Sequence, residues 1–335
     1  MVTEIAPNYP KRIVIEPTNL CNLRCRMCGQ SWRKFRGSYL DFETVKKIEP
    51  ALPLIKEAVL FGWGEPLIYP KFRQLFELVS SYPIGTYFTT NGTRLSDETA
   101  AMLVERELDY LGISFDGASE ETYNGIRRYS DFNKVLAGVK RVIEYKNKLD
   151  KHKPYTRFTM VLMKKNLLEL PSLIKLASEI GLDEVRALYL VAYSKEMIEQ
   201  SLFFDKEMIP SVFEEAAETA EKLGIKLRLP PIIGQPISFN GRSAGYKNCP
   251  RPFDDMFVQA DSKVRPCVIS SDIMGDFKNQ TFEEIWNGSK YVAFRKKIKS
   301  NNPPASCKAC HQCNFLNIND IRAHVAIDYT ISETN

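Results

Sequence analysis

The sequence predicts an α/β protein: a parallel sheet of six strand-and-helix units forming a partial (β/α)6 TIM-like barrel, followed by a small cysteine-rich C-terminal domain. Three observations predict it. Six short runs rich in β-branched and aromatic residues alternate with longer stretches of helical periodicity, the pattern of a parallel sheet with right-handed crossovers. The run Pro230-Pro231-Ile232-Ile233-Gly234-Gln235-Pro236, continuing to Gly241 and Gly245, breaks that alternation. Beyond it, five of the eight cysteines crowd into one segment.

The strands are expected at 12–17, 58–62, 84–90, 110–115, 156–162 and 184–190, and the helices between and after them at 42–52, 69–80, 97–107, 132–146 and 167–180. Six units rather than eight favour an incomplete barrel. In parallel barrels the active site lies at the C-terminal ends of the strands, where loops converge. A last helix near 213–223 precedes the Pro- and Gly-rich break. The expected organisation is an N-terminal extension (1–11), the barrel (12–229), a linker (230–246), the C-terminal domain (247–325) and a frayed tail (326–335).

Composition narrows the function. The 335 residues suffice for one large or two ordinary domains, and 44% hydrophobic with 26% charged residues is a globular composition. A net charge of +5 from 46 basic and 41 acidic residues is too balanced to argue for nucleic acid. No apolar run is long enough to cross a membrane, and the N-terminus lacks a signal layout, so a cytoplasmic location with reduced thiols is expected.

The run Cys21-Asn22-Leu23-Arg24-Cys25-Arg26-Met27-Cys28 follows the first strand directly, on the face where an active site is expected. A zinc site normally takes four ligands. Here no fourth lies nearby, the next cysteine being Cys249 and the first histidine His152. Three thiolates on a four-iron core leave one iron open for an external molecule. The pattern resembles the radical S-adenosylmethionine (SAM) superfamily, in which that iron binds SAM through its amino and carboxylate groups. The resemblance implies a SAM-binding 4Fe–4S cluster on Cys21, Cys25 and Cys28 and flavodoxin or ferredoxin as electron donor. Arg24, Arg26, Arg33, Lys34 and Arg36 around the loop suit an acidic donor or the SAM carboxylate, and equally a solvated loop.

Further runs resemble the same family. Gly62-Trp63-Gly64-Glu65-Pro66 stands where the family has Gly-Gly-Glu-Pro, with Trp63 at the second glycine; the resemblance gives Gly64 and Glu65 to the methionyl amino group. Asn91 in Thr90-Asn91-Gly92, and Ser114 and Asp116 in Ser114-Phe115-Asp116-Gly117, are candidates for the SAM ribose or carboxylate, though Asn-Gly and Asp-Gly also favour plain turns. Arg127, in Tyr123-Asn124-Gly125-Ile126-Arg127-Arg128, fits the arginine that faces the SAM carboxylate. Met27 falls where the family usually places an aromatic residue near adenine, and a thioether can pack on a base.

In the C-terminal segment, Cys249, Cys267 and the run Cys307-Lys308-Ala309-Cys310-His311-Gln312-Cys313 can ligate a second cluster or, on spacing alone, a zinc ion. The stretch from Phe257 to Cys267, with Met274-Gly275-Asp276 and Phe282-Glu283-Glu284-Ile285-Trp286-Asn287, resembles the SPASM/twitch extension of radical SAM enzymes, which carries auxiliary 4Fe–4S clusters. Five cysteines match the shorter, single-cluster form. By that resemblance Cys249, Cys267, Cys307 and Cys310 are the ligands and Cys313 is spare, with Cys310 and Cys313 as the alternative pair; His311 reads as a loop residue.

The resemblance implies cleavage of SAM to a 5′-deoxyadenosyl radical that abstracts a substrate hydrogen. The preferred substrate is a small polyol, sugar or aminocyclitol, oxidised with the auxiliary cluster as electron acceptor. Modification of a peptide or protein side chain is the alternative. Against it stand the roughly ten residues before the first strand, which leave no room for a fused leader-binding domain, and Val268, where sulfatase-maturing relatives have an Asp. A redox-neutral epimerase with Cys313 as hydrogen donor is a third reading, and a non-enzymatic iron–sulfur module would not cleave SAM. No catalytic acid or base is assigned, although Tyr189, Tyr193, Lys195 and Asp272 are placed where they can face the cavity.

Overall fold

The computed structural model describes residues 6, 9–32, 37–235, 247, 249–308, 310, 318–321 and 324–326. Cys313, Arg33, Lys34, Arg36, His311, most of the expected linker and nearly all of the tail lie outside the described residues.

The expected alternation is present. Strands β1 (Arg12–Ile15), β2 (Glu57–Leu60), β3 (Gly85–Thr90), β4 (Tyr110–Ser114), β5 (Tyr155–Leu162) and β6 (Glu184–Tyr189) pair in sequence order, all parallel. Helices α1 (Phe42–Ile48), α2 (Phe72–Ser80), α3 (Asp97–Glu105), α4 (Glu120–Ile126), α5 (Phe132–Lys148) and α6 (Leu170–Ile180) occupy the crossovers and the stretch after β5. Pro50 and Pro53 stop α1 short of the expected 52, and the chain continues as a 3-10 turn over Glu49–Leu54. The sequence reading missed α4, only seven residues long, which is set by Ser119 accepting a hydrogen bond from the Thr122 amide.

Each strand divides its side chains by pleat. Along β5, Thr156, Phe158, Met160 and Leu162 are buried towards the helices, and Phe158 stacks on Phe115 at 4.3 Å between ring centroids. The alternate residues Tyr155, Arg157, Thr159 and Val161 are only half-buried and line the inner face. Helix α5 closes the outer layer through Phe132, Val135, Val139 and Val142, with Asp131 as its cap. Helices α7 (Lys195–Ile198) and α8 (Ile209–Leu223) follow β6. Both α6 and α8 end on a left-handed glycine, Gly181 at φ 89° and Gly224 at φ 66°.

The sheet runs further than the six expected strands. A short β7 (Lys226–Arg228) adds in parallel to β6. After α9 (Arg251–Asp254), strand β8 (Asp255–Val258) adds in parallel to the free side of β1. The hairpin partners β9 (Lys263–Arg265) and β10 (Gly275–Asp276) complete a ten-stranded order β10-β9-β8-β1-β2-β3-β4-β5-β6-β7. No described pairing joins β7 to β10, so the barrel is partial and open. The C-terminal segment, completed by α10 (Phe282–Trp286), α11 (Ser289–Lys299) and α12 (Ala305–Lys308), therefore shares one sheet with the barrel. Arg12 locks the joint: its guanidinium donates two-pronged to Asp255 at 2.9–3.2 Å, and Arg251 reaches the same carboxylate at 2.5 Å. Among the described residues, no helix is long and apolar enough to cross a membrane.

Candidate active site and second cysteine pocket

The loop after β1 is stitched to its surroundings by backbone bonds. The Arg24 amide donates to the Arg128 carbonyl and the Arg26 amide to that of Ile126, so the end of α4 carries the loop, and the Cys28 amide closes on the Cys25 carbonyl. Cys21, Cys25 and Cys28 are free thiols packed among Leu23, Met27 and Ile126. Their sulfurs are met by donors: the Leu23 amide at 3.4 Å and Asn91 Nδ2 at 3.8 Å from Cys21, and Arg127 Nη1 at 3.9 Å from Cys25. Burial pushes the Cys25 thiol up to about 12 and raises Cys21 and Cys28 as well. Thiolates so buried need metal to hold their charge, and three soft sulfurs with donors aimed at them fit three corners of an iron–sulfur cube.

Around this loop the expected site residues gather at the C-terminal ends of β1 to β4. Glu65 is fully buried; its carboxylate accepts from Thr90 Oγ1 at 2.6 Å, the Asn91 amide at 2.6 Å and the Leu67 amide at 3.1 Å. Burial pushes its carboxyl above the usual range against those three bonds. The side chain thus ties the end of β2 to the end of β3. Asn91 carries the contact onward, donating from Nδ2 to Asn22 Oδ1 at 3.0 Å inside the cysteine loop. Ser114 closes β4, half-buried and in register with Thr159.

Gly64 shows why no side chain is tolerated: a Cβ there would stand 2.3 Å from the carbonyl oxygens of both Thr18 and Leu20. The Glu65 amide donates to that same Leu20 carbonyl at 2.8 Å. Gly64→Ala is expected to push this strand end off the cysteine loop, costing about 1–3 kcal/mol and lowering iron bound at the first site, measured by denaturant titration and iron analysis of the anaerobically reconstituted protein.

Asp116 and Arg127 form a buried ion pair, Oδ2 to Nη2 at 2.7 Å, with side chains 0% and 7% exposed. The other oxygen of Asp116 accepts from the Val161 amide at 2.7 Å, and Asn166 Nδ2 donates to the Asp116 carbonyl at 2.9 Å. Burial pushes Asp116 upward and Arg127 opposes it. Arg127 is held above its ordinary value because Asp116, and then Cys25, outweigh the cost of its burial. The pair is therefore a charged wall directly behind the cysteine loop.

Sequence reasoning missed Glu16. It is fully buried, accepting from the Trp63 amide at 2.7 Å and the Ala260 amide at 3.0 Å. One carboxylate thus joins β1, the Gly62–Glu65 turn and the end of β8, and a Cβ on Gly62 would collide with it at 2.3 Å. The available signal was an acidic residue ending the apolar run Ile13-Val14-Ile15.

The remaining candidates divide. Tyr193 flanks the loop, edge-on to Trp63 at 6.0 Å and against Gly29. Tyr189 points to the helical side instead, stacked on Phe213 and edge-on to His324, because the pleat of β6 sends it outward with Val185 and Ala187. Lys195 begins α7 and is exposed. Asp272 accepts from Ser270 Oγ at 3.0 Å and from Ser306 Oγ, holding two serines that line the second cysteine pocket.

That pocket, partly open, is lined by Cys249, Cys267, Cys307 and Cys310 together with Arg251, Pro252 and Phe294. These are the four ligands implied by the family resemblance. Burial pushes Cys267 up to about 11 and Cys307 to about 12. Among the described residues no three Cys, His, Asp or Glu are arranged to hold a single metal ion. A cube presents its irons as separate corners, so four thiols around one cavity fit it. Arg295 stiffens the wall: wholly buried between Trp286 and Tyr291, it donates to the Pro252 and Trp286 carbonyls and to Asn287 Oδ1.

Comparison with known proteins agrees with this geometry. Residues 15–177 match the model of the radical SAM superfamily, and residues 249–314 that of an iron-sulfur cluster-binding domain, SPASM. A cofactor-modifying protein for tungsten-containing aldehyde ferredoxin oxidoreductase from Pyrococcus furiosus is 25% identical over 93% of this chain and 91% of its own length. An AdoMet-dependent heme synthase from Methanosarcina barkeri is 27% identical over 90% and 89%. The mycofactocin maturase MftC of Mycobacterium tuberculosis is 28% identical over 50% of this chain and 41% of its own. Among solved structures, Streptococcus suis SuiB bound to S-adenosylmethionine superposes with a TM-score of 0.67 at 15% identity, covering 90% of this chain and 78% of that one. At that identity the likeness speaks for the fold. The cofactors are a SAM-binding 4Fe–4S cluster, SAM itself and an auxiliary iron–sulfur cluster. With two cysteine sets on one partial barrel and both family models matched in chain order, the chain belongs to the radical SAM superfamily and carries a C-terminal SPASM domain.

Proposed function

We propose that this enzyme oxidises a small organic molecule held on the inner face of the open barrel, the electron lost by the substrate passing to the cluster in the C-terminal pocket. One observation carries the reading: Glu16 hydrogen-bonds both the turn beside the first cysteine loop and the end of β8, which leads into the second cysteine set, so the two sites are held in fixed relation. Bound at Cys21, Cys25 and Cys28, the first cluster and SAM supply a 5′-deoxyadenosyl radical. The chain's own residues supply position. Gly64, Asn91 and Ser114 stand at the strand ends to meet SAM, while Glu65 and the Asp116–Arg127 pair hold those ends and the loop in place. The exposed Arg24 and Arg26 offer a basic rim to an acidic electron donor such as flavodoxin or ferredoxin.

The relatives that match 90% or more of the chain are named for cofactor modification and heme synthesis. Among oxidisable small molecules they favour a cofactor precursor, with a polyol, sugar or aminocyclitol as the other member of the class. The maturase likeness, over half of the chain, supports peptide modification as the second reading. The epimerase reading needs Cys313 as hydrogen donor.

The test is anaerobic reconstitution followed by reduction with dithionite or flavodoxin, with methionine and 5′-deoxyadenosine measured by chromatography. The expected result is formation of the two in equal amounts. Intact SAM in protein loaded with both clusters would refute the enzyme reading. Once a substrate is in hand, deuterium from solvent in an otherwise unchanged product would replace oxidation by epimerisation.

A further inference from the structure

We infer that the inner wall of β4, β5 and β6 is a carboxylate-binding subsite for the substrate, with Arg186 as the gripping residue and Arg157 beside it. The inference rests on the radical-enzyme reading above and gives its substrate a chemical class: an acid carrying at least one carboxylate.

The pleat puts these groups on one face. Val185, Ala187 and Tyr189 of β6, with Phe158, Met160 and Leu162 of β5, belong to the apolar core beneath the helices. Glu184 and Arg186, and Arg157 and Thr159, therefore face the barrel interior. Ser114, Thr159 and Arg186 share one row across the three strands. Two residues further along β5, Val161 packs against the group that holds Cys21, Cys25 and Cys28. At the rise of an extended strand, the Arg186 row lies about 7 Å below Val161, the residue that packs against the group holding the cysteine loop.

Charge on this wall is unbalanced. Glu184, 1% exposed, takes Arg157 at 3.3 Å and Arg228 at 2.9 Å, and accepts from Tyr155 OH at 3.2 Å. Arg186 makes no ion pair among the described residues, and its charged neighbours include Arg157 and Arg228. On the wall itself Arg157 and Arg186 thus have one carboxylate between them, which also serves Arg228 of β7, whose side chain is 56% exposed. Hydrogen-bonding capacity is also left over: Thr159 Oγ1, Tyr110 OH and Arg157 Nε are buried without a partner among the described residues. Buried polar groups are rarely left so, and three on one wall beside a spare cation describe a site built around an anion. Arg157 is fixed in place by stacking on the Tyr110 ring at 4.4 Å.

The anion is a carboxylate rather than a phosphate. Phosphate sites lean on backbone N–H groups at helix N-termini, whereas strand amides on this wall are spent in the ladder. Guanidinium forks match carboxylate and phosphate alike, so the choice rests on those committed amides. A neutral polyol would leave the excess charge unmet.

The test is footprinting of the wild-type protein, reconstituted with both clusters. Phenylglyoxal modification of Arg186 is followed by peptide mass spectrometry, with exposed Arg94 as the control. Saturating glutarate is expected to slow labelling of Arg186 about tenfold by mass action, while neutral glutaramide leaves it unchanged and Arg94 reacts alike throughout. Equal labelling with and without glutarate, or equal protection of Arg94, overturns the subsite. Stronger protection by inorganic phosphate overturns the carboxylate assignment. Protection by SAM alone gives the wall to the methionyl carboxylate and overturns a substrate role. Because the footprint needs no SAM cleavage, failure of the radical-enzyme reading would leave it intact, and the two are told apart.

Discussion

Protein in which Cys21, Cys25 and Cys28 are all replaced by Ala is expected to lose 5′-deoxyadenosine formation entirely while retaining about four irons per chain. The two losses separate because the sulfurs do. The first three sit among Leu23, Met27 and Ile126 at the end of β1, whereas Cys249, Cys267, Cys307 and Cys310 line their own pocket between Pro252 and Phe294. Iron and sulfide analysis with Mössbauer spectroscopy reads the outcome. The reciprocal variant, Cys249→Ala with Cys267→Ala, should keep SAM cleavage and lose the second cluster. Loss of all iron from the first variant, with zinc in its place, would recast the C-terminal pocket as a structural zinc site.

The second large effect is on stability. Arg127→Met leaves Asp116 as a buried carboxylate without its cation, a change that costs about 3–5 kcal/mol in such pairs. Denaturant titration of the variant should show that loss. The double variant Asp116→Asn with Arg127→Met should recover a good part of it, since no uncompensated charge remains, and the cycle then gives the coupling. If the double variant is no more stable than the single, the pair is not the source of the effect. Arg127 Nη1 also lies 3.9 Å from Cys25 Sγ, so both variants are expected to alter the ultraviolet–visible spectrum of the first cluster.

What could be read in the chain is what is local. The three-cysteine loop spans eight residues, and the Gly62–Glu65 turn lies one strand later, so spacing alone carries the first site. Pleat and helical periodicity likewise give the six parallel strands. The missing pieces are made by residues far apart in sequence. Arg12 meets Asp255 across 243 positions and Glu16 meets Ala260 across 244, and nothing in either neighbourhood announces the other. The arginine wall needs the register of β4, β5 and β6 before its charges can be added together. Even where the residue was found, part of its role was not visible: Glu65 and Asp116 read as ligand contacts from their turn motifs, and the structure adds bonds to Thr90, Asn91, Leu67, Val161 and Arg127 that no motif announces.

The parallel pairing of β8 with β1 has a consequence for biogenesis. Strand β1, which bears the cysteine loop, is flanked on its far side only when residues 255–258 have left the ribosome. Until then the nascent sheet has an unpaired border beside the three-cysteine loop, and contacts of such long sequence separation form late. A chain released before residue 255 would therefore lack both the β8 pairing and the Ala260 bond to Glu16 that brace the strand and turn beside the cysteine loop.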